Sequence, residues 1–132
     1  MDEKEKKKNY GLLLSVLSGL LSALVITGLS MLIISVIYLS SELTDETARS
    51  LVTALALLSV FVSAVVSGVK MKSRGLLTGA LIGAAYSLCL YITGFLAFGL
   101  FNFSKGIFGI PALSVFIGAL GGIVGVNLRS KK

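Results

Sequence analysis

Apolar residues fill four long stretches of this chain, and the charged residues lie in the gaps between them and at the termini. The stretches run over residues 11–39, 51–69, 76–100 and 111–128. Each is about long enough, at a helical rise of about 1.5 Å per residue, to cross a hydrocarbon core of about 30 Å. The segments between them are too short to fold as domains. The pattern therefore predicts an all-α integral membrane protein, a bundle of four transmembrane helices over residues 10–129 with no soluble module. The first stretch far exceeds the apolar run of a secretory leader and reads as a retained span.

Small residues recur every four positions inside the spans. Ser15, Gly19 and Ala23 do so in the first, Ser59, Ser63 and Ser67 in the second, and Gly75, Gly79, Gly83 and Ser87 in the third. In the fourth, Gly118 to Gly122 and Gly121 to Gly125 are overlapping GxxxG pairs. This spacing puts the small residues on one helix face, where a second backbone can approach closely. Gly19, Ser63, Gly75, Gly79, Gly83, Gly118, Gly121, Gly122 and Gly125 are thus the expected helix-packing positions, in the manner of a glycine zipper.

The span boundaries carry their own signals. Tyr10 and Tyr38 stand about 42 Å apart along a helix, the thickness of a bilayer with its headgroup zones, and suit interfacial anchoring. Thr44 before Asp45 and Glu46 resembles a helix start, with the hydroxyl capping free N–H groups and the acids complementing the dipole. Phenylalanines at 95, 98, 101, 103 and 108 suit a turn at the interface. Pro111 fits the first turn of the fourth helix. Residues 1–9, polar and lysine-rich, are expected to form a disordered arm, and residues 130–132 a short basic tail.

Composition agrees with this class: 55% of residues are hydrophobic and only 14% charged. The formal charge of +6 would suggest nucleic acid in a soluble protein. Here ten of the twelve Lys and Arg lie before the first span, in the segment 70–74 or after the fourth, leaving Arg49 and Lys105 for the other turns. Such a bias orients membrane helices, so both termini are expected in the cytoplasm and nucleic acid is not expected as a partner. Lys70, Lys72, Arg74, Arg129, Lys131 and Lys132 would then form a cytoplasmic basic face for anionic lipid headgroups or an acidic protein.

The two halves also resemble each other. The segment 11–19 matches 75–83 at five of nine positions, Ile26-Thr27-Gly28 matches Ile92-Thr93-Gly94, and the segment 68–73 resembles 125–130. These matches suggest two parallel helical hairpins related by an axis along the membrane normal.

No constellation in the sequence names an activity. No ionisable side chain lies within a span, histidine is absent and Cys89 is alone, so no catalytic, metal or cofactor site is expected. Thr27, Thr53, Thr78 and Thr93 are expected to satisfy a carbonyl one turn back. Asn102-Phe-Ser104 matches a glycosylation sequon that needs a eukaryotic secretory route.

With Gly118-Ala-Leu-Gly-Gly-Ile-Val-Gly-Val-Asn127 and the basic end in view, the chain resembles the YrzE-like family of small Gram-positive bacterial membrane proteins. That resemblance implies four helices in a bacterial plasma membrane and carries over no catalytic residue. The expected function is a non-enzymatic scaffold or accessory subunit, joined to a membrane protein partner or to copies of itself. The alternative is a small oligomeric channel or transporter, a holin-like pore included. A water-filled cavity lined by serines would favour transport, and a dry core the accessory role.

Overall fold

The computed structural model describes residues 2–71, 74–98 and 109–131. Four helices occupy them in chain order: α1 (Glu3–Ser40), α2 (Asp45–Lys70), α3 (Gly75–Phe98) and α4 (Gly109–Ser130). All four are long and apolar enough to cross a membrane. Lys72, Lys132 and the segment 99–108, with its phenylalanines, Lys105 and the sequon, lie outside the described residues.

The expected disordered arm is instead the first two turns of α1, which is helical from Glu3. Glu and Lys are good helix formers, and Glu3 and Glu5 sit in the first turn, where the dipole favours acids. Glu3 and Lys7 have the four-residue spacing and the order that support a helix. The long apolar helix behind them already supplies the costly nucleus, so extending it fixes only one residue per added bond.

α2 starts at Asp45, ahead of its apolar run, with Thr44 in the extended cap position. The expected hydroxyl cap does not form. Thr44 Oγ1 lies 3.2 Å from Thr47 Oγ1 instead, so the two hydroxyls pair with each other. The Tyr38 hydroxyl donates to Asp45 Oδ1 at 2.7 Å and ties the end of α1 to the start of α2.

α4 packs on both α2 and α3, α1 packs on the same two helices, and α1 and α4 do not approach each other. The bundle is therefore a rhombus with α2 and α3 on the short diagonal. Exchange of the α1–α2 and α3–α4 hairpins does not preserve these contacts, because α2 meets α3 whereas α1 misses α4.

The interior inverts the order of a soluble protein. Ser15, Thr27, Ser59, Ser63, Ser67, Thr78, Ser87 and Ser114 are buried, beside few apolar side chains larger than alanine. Large apolar residues point outward, among them Leu21, Leu32 and Leu96, the last 78% exposed. A surface of that kind is stable where lipid replaces water, and small inward residues then maximise contact between helices.

Candidate functional site

α4 is the hub of the bundle, and its two GxxxG pairs face different neighbours. A Cβ added at Gly118 or Gly122 would strike the carbonyl oxygens of Gly79 and Gly75 on α3. One added at Gly121 would come within 2.7 Å of the Phe61 carbonyl oxygen on α2, and one at Gly125 within 2.9 Å of Gly68 Cα. The two pairs are offset by three residues, about 60° around the helix, which lets α4 wedge between α2 and α3 with its backbone against both. From the α3 side, Gly75, Gly79 and Gly83 meet the backbone at Gly122, Gly118 and Ser114.

α2 presents two adjacent small stripes, of which the sequence reading picked out one. Ser63 and Ser67 are buried, and so are Ala64 and Gly68, one position along. Gly68 belongs to the close approach: a Cβ there would lie 2.6 Å from the Gly122 carbonyl oxygen. The spacing of Ala64 and Gly68 was the available signal, overshadowed by the longer serine stripe.

α1 is held by different chemistry. Its Gly19 packs against side-chain atoms, with a built Cβ 3.3 Å from Ser67 Cβ and 2.6 Å from Ile82 Cδ1. The Ser67 hydroxyl donates to the Ser15 carbonyl at 2.7 Å. Its single proton is thereby used, so in the 2.8 Å contact between the two hydroxyls Ser15 is the donor. Higher up, Thr27 donates to the Ala23 carbonyl at 2.8 Å, which makes the Tyr86 hydroxyl the donor in its 2.8 Å contact with Thr27 Oγ1. Tyr86 is only 1% exposed, and its partner across the bundle was not legible from spacing.

Many hydroxyls of the spans, buried or exposed, return to their own helix. Thr27, Thr53, Thr78 and Thr93 each donate to the carbonyl four residues back, and Ser59 and Ser63 do the same. Among the described residues, Ser114 Oγ is the buried side-chain atom without a hydrogen-bond partner. Ser114 lines a cleft of about 120 Å³ with Thr27, Tyr86 and mainly apolar residues of α1, α2 and α4, in the place where α1 and α4 fail to meet. No group of His, Cys, Asp or Glu among the described residues could hold a metal ion.

At the opposite end of the bundle the cations are partly absorbed into the fold. Arg129 Nη1 donates to the Val69 and Lys70 carbonyls at 2.9 and 3.1 Å, capping α2 from α4. Lys70 Nζ donates to Ser18 Oγ at 2.9 Å and joins α2 to α1. Arg74 lies between α2 and α3 with φ of 84°, and its carbonyl accepts from the backbone N–H and hydroxyl of Thr78. The left-handed residue is thus Arg74, while the adjacent Gly75 is used for packing against Gly122. Lys131 follows Arg129 at the same end and is exposed.

The chain is 33% identical over 131 residues to a protein of Bacillus subtilis (strain 168) described as uncharacterized membrane protein YrzE, covering 98% of this chain and 83% of that one. No solved structure matches. The outward apolar surface and this relationship identify a multi-pass membrane protein. Residues 12–125, nearly the whole bundle, match the family described as protein of unknown function (DUF3792), and the chain belongs to that family.

Proposed function

We propose that the protein is a non-enzymatic scaffold or accessory subunit of a complex in a bacterial plasma membrane, with both termini cytoplasmic. The observation that carries this reading is the state of the interior. Glycine backbones close it along α4, and its hydroxyls are consumed by carbonyls or by each other. A hydrated path needs oxygen atoms free to replace the hydration of a solute, and this interior offers few. The Lys and Arg bias supports the orientation, and the end bearing Lys70, Arg74, Arg129 and Lys131 suits anionic headgroups or an acidic protein. The matching segments of the two halves support descent from a duplicated hairpin whose symmetry has since relaxed at α1.

The test is the mass and composition of the native assembly, by cross-linking in membranes and gentle extraction at natural abundance. The expected result is a complex with foreign subunits in fixed stoichiometry. A homo-oligomer alone that passes ions or solutes across liposomes would overturn the reading in favour of a small channel or transporter. The unpartnered Ser114 beside the cleft is the feature that such a result would bring forward.

A further inference from the structure

The cleft between α1 and α4 has a floor and a mouth of different character. Thr27, Tyr86 and Ser114, one residue each from α1, α3 and α4, are buried and form its floor. Met31, Thr53 and Ile110 also line it and are exposed, so the cleft opens past them. Thr53 stands two residues inside the apolar run of α2, and Ile110 is the second residue of α4, which puts the mouth close to the edge of the hydrocarbon. The walls in between are aliphatic, and no lining residue is charged.

Of the hydroxyl protons in the cleft, those of the two threonines and the tyrosine are committed. Thr27 donates to the Ala23 carbonyl, Tyr86 to Thr27 Oγ1 and Thr53 to the Arg49 carbonyl. Ser114 is the exception, since its Oγ is buried and has no hydrogen-bond partner. Ser59 and Ser63 donate to the carbonyl one turn back, a bond that Ser114 leaves unmade. Its backbone is held against α3, where a Cβ built on Gly83 would strike the Ser114 carbonyl oxygen. A buried hydroxyl without a partner is costly, and an acyl chain filling the cleft would offer it none. A water molecule there would need two to four polar partners, and the aliphatic walls supply none.

We infer that the cleft binds a small neutral molecule, apolar except for one hydroxyl or carbonyl oxygen, which enters oxygen first from the membrane and accepts the Ser114 proton. The walls exclude an ion, which would find no counter-charge there. The cleft holds about 120 Å³, somewhat less than an engineered cavity of about 150 Å³ in another protein that takes up benzene. The part of the ligand inside is therefore no larger than one six-membered ring, and any remainder lies at the mouth. The site belongs to a single copy of the chain and does not depend on the accessory role proposed above.

Full-length protein in micelles is titrated with para-fluorophenol and with para-fluorotoluene, molecules of one shape that differ by a hydroxyl against a methyl group. Fluorine resonance follows binding, and each affinity is referred to the partition of the probe into empty micelles. The expected result is saturable binding of both, with about a fivefold preference for para-fluorophenol, the usual net effect of one hydrogen bond. Ser114→Ala keeps the binding of para-fluorotoluene and removes the preference. Ala56→Leu fills the cleft from its wall and weakens both probes, and Met31→Trp, which narrows the mouth without altering the interior, does the same. A preference undiminished in Ser114→Ala overturns the role of Ser114. Equal affinities in the parent, or tighter binding of para-fluorotoluene, overturn the oxygen-bearing ligand and leave an apolar seat for lipid chains. Absence of saturable binding, or binding that survives both Ala56→Leu and Met31→Trp, overturns the site.

Discussion

Replacing Gly79 by alanine should separate α3 from α4, whereas the same replacement at Gly28 should be harmless. A Cβ at Gly79 would collide with the Gly118 carbonyl oxygen and lie 2.8 Å from its carbonyl carbon and 3.0 Å from Gly122 N, where ordinary contact begins at 3.4 Å. All three atoms are backbone, so no side chain can rotate aside and the helices must part by several tenths of an ångström. A gap of about 0.5–1 Å forfeits roughly a quarter to a half of the dispersion energy of each affected pair, and overpacking of this sort costs about 1–3 kcal/mol. Within a bilayer no hydrophobic force between helices offsets that loss. At Gly28 nothing lies within 4 Å of the added carbon, and removing a helix glycine gains up to about 1 kcal/mol. The assay is reversible unfolding in mixed micelles with increasing dodecyl sulfate, followed by circular dichroism. Gly79→Ala should unfold at lower detergent fraction than the parent by about 2 kcal/mol, and Gly28→Ala at the parent value or above. Equal midpoints for the two variants would refute backbone contact between α3 and α4.

Three further outcomes follow from the hydrogen bonds. Ser67→Ala removes the donor to Ser15 and should destabilise by about 0.6–1.7 kcal/mol in the same assay, less than Gly79→Ala, with cross-linking between cysteines on α1 and α2 reporting the loosened pair. Arg129→Gln uncaps the Val69 and Lys70 carbonyls, so amide exchange in the last turn of α2 should quicken while that of α3 stays unchanged. Thr44→Ala should shift the unfolding midpoint by less than the usual loss of about 1 kcal/mol for a helix cap, because Thr44 makes no side-chain cap here; a full loss would show that the cap forms in the membrane.

The four long apolar helices were legible because they rest on local hydropathy, and the small-residue stripes of α3 and α4 because they rest on local periodicity. Gly75, Gly79 and Gly83 repeat at helical spacing, and a stripe without side chains has one use where helices meet in lipid. The division of labour within α4 was not legible, since Gly118–Gly122 and Gly121–Gly125 are alike in sequence and only the positions of α2 and α3 distinguish them. Tyr86 escaped for the same reason: its partner Thr27 lies 59 residues away and its depth depends on how α1 crosses α3. Glu3 to Asn9 is helical despite a charge density typical of a disordered arm, because the helix behind it supplies a template. Lys70 and Arg129, expected on a cytoplasmic basic face, also join elements, since Arg129 caps α2 and Lys70 reaches α1, contacts that charge counting does not reveal.

These contacts divide the bundle into two tiers. α2, α3 and α4 are joined backbone to backbone, an arrangement with no side-chain freedom to exchange one partner for another. α1 is joined by Ser15 to Ser67, Thr27 to Tyr86, Lys70 to Ser18 and Tyr38 to Asp45, bonds that average about 0.6 kcal/mol each where membrane proteins have been dissected. The cleft lies on the α1 side of that division and holds about 120 Å³, roughly the volume of four liquid water molecules. Loss of α1 would break weak bonds, but it would also strand the Tyr86 hydroxyl and the Ser67 donor in hydrocarbon unless a partner helix supplied oxygen atoms at the same positions. A helix carrying a hydroxyl or carbonyl at those two levels could substitute for α1 at little net cost. Such an exchange is the step that the accessory role proposed above would use.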